Sequence, residues 1–414
     1  MSEHSVIVGA GHGAAQLCAS LRSEGWSGPI TLIGEEPVLP YHRPPLSKTN
    51  LNPSGEHAPP LIRPDSFYVS KEITVLTNAR VDAIDRARKL VRVGARDIAY
   101  DKLALCLGSV HIQPPIEGID GARVFHLRTE AECTAIRSRV RPGARAVIIG
   151  GGFIGLEVAA SLRRLGLEIT VLERAPRVLS RVTSPEMSAF FEQLHRQEGV
   201  RLFCDTLVER ITENGDVLEV WSKGSSESHK ADFVVLGAGA APNDALARSC
   251  GLDVDSGIVV NEYNQTSDPD IYALGDCCTQ FRPLYQRRIR LESVQNALDQ
   301  AKTVAASLNG KNTPHDAVPW FWSDQYEVKL QMVGLSDGFN RMVVRGSPEA
   351  SQSFSLWYFR DGKLIAVDAV NDSAAYACAM KCMKTGLSPD PGHVGDEQMP
   401  IKEILRLTQE NQHA

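Results

Sequence analysis

Ser5-Val6-Ile7-Val8-Gly9-Ala10-Gly11-His12-Gly13-Ala14 and, further along the chain, Ala146-Val147-Ile148-Ile149-Gly150-Gly151-Gly152-Phe153-Ile154-Gly155 decide the fold. In the first, an apolar run breaks into a glycine-rich turn. Leu17 and Leu21 then recur at helical spacing until Gly25, so strand, tight turn and helix follow one another. A second strand over Pro29 to Ile33 ends at Gly34-Glu35, which places an acid 21 residues after Ala14. The later stretch repeats the pattern: Val158, Leu162 and Leu165 mark the helix, and the strand Ile169 to Leu172 ends at Glu173, 18 residues after Gly155. A glycine at the first position permits the turn, the second lets backbone approach a pyrophosphate, and the acid suits ribose hydroxyls. One such unit is weak evidence, but two complete units in one chain point to two bound dinucleotides.

The rest of the composition sets bounds. At 414 residues and 43% hydrophobic, the chain can bury a large core divided among about two to three domains. With 44 basic and 50 acidic residues the net charge is -6, which offers no global attraction to nucleic acid or an anionic membrane. No run of about 18 apolar residues suggests a membrane span. Met1-Ser2-Glu3-His4 leads straight into the first strand without an export pattern, so a soluble, cytoplasmic protein is expected. Nine scattered cysteines fit reduced thiols. Cys378 and Cys382 share a helix face but lack a second pair, so packing is preferred over zinc or iron-sulfur ligation.

Between and after the two units the pattern changes. Pro37 to Pro64 is proline-rich and reads as a long loop. Short strands are expected near Thr74 to Leu76, Ala79 to Ile84 and Lys89 to Val93, with a buried strand at Leu103 to Leu107. The strand Phe233 to Leu236 runs into Gly237-Ala238-Gly239, suited to close cofactor approach. After about Pro319 a small antiparallel domain is expected, with a hairpin through Asp361-Gly362 and a helix over Ser373 to Lys384.

Three further segments occur in order: Tyr41-His42-Arg43-Pro44-Pro45-Leu46-Ser47-Lys48, Thr266 to Cys277 (TSDPDIYALGDC) and Pro319-Trp320-Phe321-Trp322-Ser323-Asp324-Gln325-Tyr326. With the two fingerprints, they make the chain resemble the FAD-dependent ferredoxin reductases of glutathione-reductase fold, which serve bacterial cytochrome P-450 and Rieske oxygenase systems. The resemblance spans essentially the whole chain. It implies an α/β architecture of two Rossmann-like domains plus a small C-terminal α+β domain. FAD would be held by residues 1-112 and 248-318, NADH by 113-247, and the C-terminal domain would be 319-414.

By the same resemblance, FAD is bound non-covalently through Gly9, Gly11, Gly13, Ala14, Glu35, Arg43, Lys48, Val81, Arg128, Asp276 and Val294. NADH is placed at Gly150, Gly152, Ile154, Gly155, Glu173 and Gly239. Outside the family context, Asp276 reads better as a helix cap and Val81 and Val294 as core; the ordered motifs reverse that preference. A carboxylate at Glu173 would repel a 2'-phosphate and favour NADH over NADPH, although neighbouring Arg174 could accommodate that phosphate. The resemblance pairs Lys48 with Glu157 beside the flavin. Trp322 would lie at the flavin's exposed edge, or else in the core of the small domain. Arg287, Arg288, Arg290 and Lys302 are either a solvated face or a basic area steering an acidic ferredoxin.

Disulfide reductases of this fold need a cysteine pair near the flavin, but the corresponding stretch here, Arg43 to Lys48, holds no thiol. The same absence disfavours single-cysteine relatives. Expected chemistry is therefore hydride transfer from NADH to the flavin N5 atom, then two one-electron transfers to a 2Fe-2S ferredoxin, through which alone the terminal oxygenase is reached. A cytochrome P-450 is preferred over a Rieske-type dioxygenase. A reading from another class is an apoptosis-inducing-factor-like flavoprotein whose NADH-dependent shape change governs partner binding. The absence of long basic insertions counts against it.

Overall fold

The computed structural model describes residues 3–55 and 58–410. These form two compact units. One gathers the segments up to His42, Pro60–Val110 and Ala240–Ala317; the other gathers Arg43–Pro59, His111–Gly239 and the chain from Val318 on.

The first unit is built on a parallel sheet whose spatial order is Ile271–Ala273, Lys102–Leu105, Ser5–Val8, Ile30–Ile33, Ile73–Leu76. Ser5–Val8 is buried at every position, as a parallel strand covered on both faces must be. Its side chains alternate. Ile7 packs with Leu17, Leu21, Val304 and Ala305 of the helices His12–Glu24 and Val294–Leu308. Val6 and Val8 face the opposite layer with Ile84, Val91, Ile258 and Val260.

In the second unit a parallel sheet runs Arg201–Phe203, Glu168–Leu172, Arg145–Ile149, Phe233–Leu236, Val124–Phe125. In both sheets the strand that precedes the glycine turn is central, and the direction in which strands are added reverses there. In such sheets that crevice, beyond the carboxyl ends of the strands, is where ligands bind. Also in the second unit is an antiparallel sheet ordered Trp320–Gln325, Val328–Gly334, Lys363–Val370, Phe354–Arg360, Arg341–Arg345. Helix Ser373–Lys384 packs on it through Ala375, Cys378, Ala379 and Cys382, which join the core around Trp357 and Val367. The turn at Asp361 and Gly362 has φ of 51° and 77°, the paired left-handed conformations that a two-residue hairpin demands and that Asp-Gly supplies. No helix among the described residues is long and apolar enough to cross a membrane.

One carboxyl lies inside this antiparallel sheet. Asp368 is 1% exposed and accepts a hydrogen bond from the Tyr358 hydroxyl at 2.8 Å. Burial pushes its pKa up to about 7. A raised folded-state value means the stabilising contribution is complete below the unfolded carboxyl's pKa near ~4 and is lost as pH rises through the folded value. Melting temperature should therefore fall by about 2–5 °C between pH 6 and 8 in the wild type and by less in Asp368→Asn, as followed by thermal denaturation. An equal fall in the variant would contradict this.

Candidate active site

Two glycine turns face the same steric problem. Gly9 follows the strand Ser5–Val8 at φ +100°, and a Cβ there would stand 2.2 Å from the Cys106 carbonyl oxygen. Gly150 follows Arg145–Ile149 at φ +114°, where a Cβ would stand 2.3 Å from the Gly237 carbonyl oxygen. In each case the neighbouring strand's outgoing backbone occupies the side-chain space, so only glycine fits. Gly155 adds a helix-to-turn contact, since its Cβ would come 2.1 Å from the Gly150 carbonyl oxygen.

The helices that follow begin without a side-chain cap. His12–Glu24 starts at Gly11 and Phe153–Arg164 at Gly152; neither has a capping side chain, and a Cβ at either glycine would meet nothing within 4 Å. By contrast, the helices beginning at Glu130, Pro185, Val294 and Ser373 are capped by Thr129, Ser184, Ser293 and Asp372. A helix start without a side-chain cap, at the positive end of the helix and with room beside its glycine, fits the pyrophosphate of a dinucleotide. The residues at both turns therefore suit a bound dinucleotide.

The two acids behave differently. Glu35 is largely exposed and pairs with Arg80 at 3.3 Å. Glu173 instead binds its own loop: Oε2 accepts from the Gly151 N–H at 2.5 Å and Oε1 from the Ala175 N–H at 2.7 Å. Glu173 therefore ties the end of its strand to the glycine turn, and its carboxylate oxygens retain lone pairs for a further donor.

In the second unit, Pro44–Ser47 forms a 3₁₀ turn that ends at Lys48. Two prolines preset this turn. Lys48 Nζ lies 2.6 Å from Glu157 Oε2, and Glu157, on the helix Phe153–Arg164, is 3% exposed. A buried carboxylate needs its lone pairs satisfied. The Ser47 hydroxyl donates to Oε2 at 2.6 Å and the Ser323 hydroxyl to Oε1 at 2.7 Å, while the Ser161 hydroxyl donates to the Ser47 carbonyl at 2.8 Å. The result is a fixed ammonium at the end of a constrained loop.

The remaining expected residues scatter. Arg43 Nη1 donates to the Arg128 carbonyl at 2.7 Å in the second unit. In the first unit, Gly13 and Ala14 are buried in their helix, where a Cβ at Gly13 would meet Leu274 Cδ1 at 2.5 Å. Val81 packs in the core, Val294 opens its helix, and Asp276 Oδ2 accepts from the Ser109 hydroxyl at 3.4 Å. Ile154 is exposed beside the second turn, and Gly239 stands at φ +101°. Trp322 is half-buried in the strand Trp320–Gln325, with ring centroids 5.6 Å from Trp320 and 6.3 Å from Phe321. Arg287 and Arg288 are exposed on the strand Arg287–Ile289, whereas Arg290 pairs with Glu292 at 2.5 Å and Lys302 with Asp299 at 3.0 Å. The sequence does not mark the serines that hold Glu157, because a serine on a loop or strand carries no spacing signature.

A paired dinucleotide architecture with this lysine–carboxylate pair defines a nicotinamide-dependent flavoprotein oxidoreductase. The family described as pyridine nucleotide-disulphide oxidoreductase matches residues 3–301, and that described as reductase C-terminal matches 320–405. Putidaredoxin reductase of Pseudomonas putida is 41% identical over 98% of this chain and 97% of its own. The ferredoxin–NAD(+) reductase component of the anthranilate 1,2-dioxygenase system of Burkholderia cepacia is 38% identical over 97% of this chain and 98% of its own. The solved covalent putidaredoxin reductase–putidaredoxin complex contains a chain that superposes with a TM-score of 0.94 at 39% identity, covering 98% of this chain and 99% of that one. The chain belongs to the pyridine nucleotide-disulphide oxidoreductase family, as a FAD-dependent enzyme with NADH as electron donor.

The second-turn geometry generates a test of nucleotide choice. Glu173→Ala removes both the loop tether and the charge expected to oppose a 2'-phosphate. The ratio of kcat/KM for NADH over NADPH should fall about tenfold, on the scale of one charge-assisted hydrogen bond of ~1.5 kcal/mol. An unchanged ratio in steady-state kinetics would contradict the assignment.

Proposed function

We propose that this enzyme passes electrons from NADH to a separate 2Fe-2S ferredoxin of acidic surface, which supplies a cytochrome P-450 monooxygenase. The observation that carries the reading is the Lys48–Glu157 pair at 2.6 Å at the end of a turn, Pro44–Ser47, that contains no thiol. FAD, when bound, accepts the hydride of NADH and releases the two electrons one at a time. Gly9, Gly11 and Gly13, with Ala14, Glu35, Arg43, Val81, Arg128, Asp276 and Val294, hold it. Gly150, Gly152, Ile154, Gly155, Glu173 and Gly239 hold the nicotinamide dinucleotide.

Lys48 supplies fixed positive charge where negative charge develops, and Glu157 keeps the ammonium in place. Trp322 belongs to the surface that the ferredoxin meets. Of the basic residues, Arg287 and Arg288 are the exposed pair that steers an acidic partner. Arg290 and Lys302, which pair with Glu292 and Asp299, complete the basic group. The P-450 preference rests on the motif resemblance. The relative from a dioxygenase system, 38% identical, supports a Rieske-type oxygenase as the second reading.

NADH-dependent cytochrome c reduction should be rapid only when a 2Fe-2S ferredoxin is added, and equal rates without it would overturn the proposal. Lys48→Ala should slow flavin bleaching by NADH in stopped flow by about 10- to 100-fold. Arg287→Glu with Arg288→Glu should raise KM for ferredoxin several-fold while ferricyanide reduction is unchanged. Equal losses with both acceptors, or a salt-independent ferredoxin KM, would rule out the basic pair as the docking charge.

A further inference from the structure

Hydrogen bonding around Glu157 does not end with Lys48. Ser323, whose hydroxyl donates to Glu157 Oε1 at 2.7 Å, itself accepts from the Gln325 side-chain amide at 3.2 Å. Gln325 Oε1 lies 2.8 Å from His195 Nε2, and the Tyr326 hydroxyl lies 3.3 Å from His195 Nδ1. Ser323, Gln325 and His195 are each 0% exposed. His195 sits on the helix Pro185–Gln197, and the other three sit in or just after the strand Trp320–Gln325.

The anionic end sets the direction of every bond. Ionised Glu157 can only accept, so the Ser323 proton points to it and the serine oxygen must accept from Gln325. The amide's oxygen then takes the His195 Nε2 proton, which leaves Nδ1 as acceptor for the Tyr326 hydroxyl. Burial lowers the His195 pKa to about 4, so the imidazole is neutral and keeps this single tautomer at physiological pH. A chain with one allowed proton order has no alternative rotamer to visit without leaving a buried polar group unpaired.

We propose that His195 is a positioning residue for NADH oxidation, acting through Gln325 and Ser323 to hold the Glu157 carboxylate in the orientation that meets Lys48. Neither His195 nor Gln325 touches the reacting atoms. Their contribution is the rigidity of the Lys48 ammonium, and it rests on the role given to Lys48 above. Lys48 itself lies on a loop and has a flexible stem, so the strand and helix supply the reference frame that the loop lacks.

The test is the limiting rate of flavin reduction in the FAD-loaded enzyme, measured in stopped flow with NADH and with NADH deuterated at the transferred position. Lys48→Ala, Ser323→Ala, Gln325→Leu, His195→Leu and the Gln325→Leu/His195→Leu double variant are compared. Ser323→Ala, Gln325→Leu and His195→Leu should each slow the limiting rate about 3- to 10-fold, with the NADH dissociation constant within about twofold of wild type and the isotope effect retained. The double variant should be no slower than the slower single, because both break one chain. His195→Gln, which can still offer an N–H, should recover part of the rate. Wild-type rates in Ser323→Ala and Gln325→Leu beside a slowed Lys48→Ala would overturn this inference alone. Multiplying losses in the double variant would also overturn it. A wild-type rate in Lys48→Ala would instead remove the reading of Lys48, and this inference with it.

Discussion

Two glycines pressed against the backbone of a neighbouring strand are the constraint on which the molecule depends. At Gly9 and again at Gly150 the turn out of the central strand passes so close to the outgoing neighbour that a Cβ would overlap a carbonyl oxygen, at 2.2 and 2.3 Å. That closeness draws the next helix against the sheet, and the helix starts at a glycine with no side-chain cap. The same geometry, built twice, is what two bound dinucleotides in one chain would require.

The Lys48–Glu157 pair answers a different problem, that of a buried charge. Glu157 is nearly sealed from water, and an unpaired carboxylate there would cost several kcal/mol. Lys48, Ser47 and Ser323 meet it from a loop, the loop's own turn and a distant strand. The compensation that makes the carboxylate tolerable also immobilises the lysine. With no thiol in that loop, the fixed cation is what the turn Pro44–Ser47 presents.

Much of this was legible in the sequence where a backbone rule was at work. The strand–glycine–helix units, the Asp361-Gly362 hairpin and the helix Ser373–Lys384 all follow from local conformational demands that leave a periodic or spaced trace. Partners far apart in sequence leave none. Ser47 and Ser323 reach Glu157 across separations of 110 and 166 residues, and His195 reaches Gln325 across 130. Charge runs leave their partners out in the same way: Arg290 pairs with Glu292 and Lys302 with Asp299, and neither pairing can be read from the run itself. Glu173 was legible as an acid in the right place but not as a tether for Gly151, because a backbone N–H has no letter in the sequence.

The most direct test of the account is an anaerobic titration of the purified protein followed by its visible absorbance. One equivalent of NADH should bleach the flavin band, and two equivalents of an oxidised 2Fe-2S ferredoxin should then restore it while the ferredoxin spectrum becomes that of its reduced form. A band that NADH bleaches but ferredoxin leaves bleached would contradict the claim that this enzyme exists to hand single electrons to another protein.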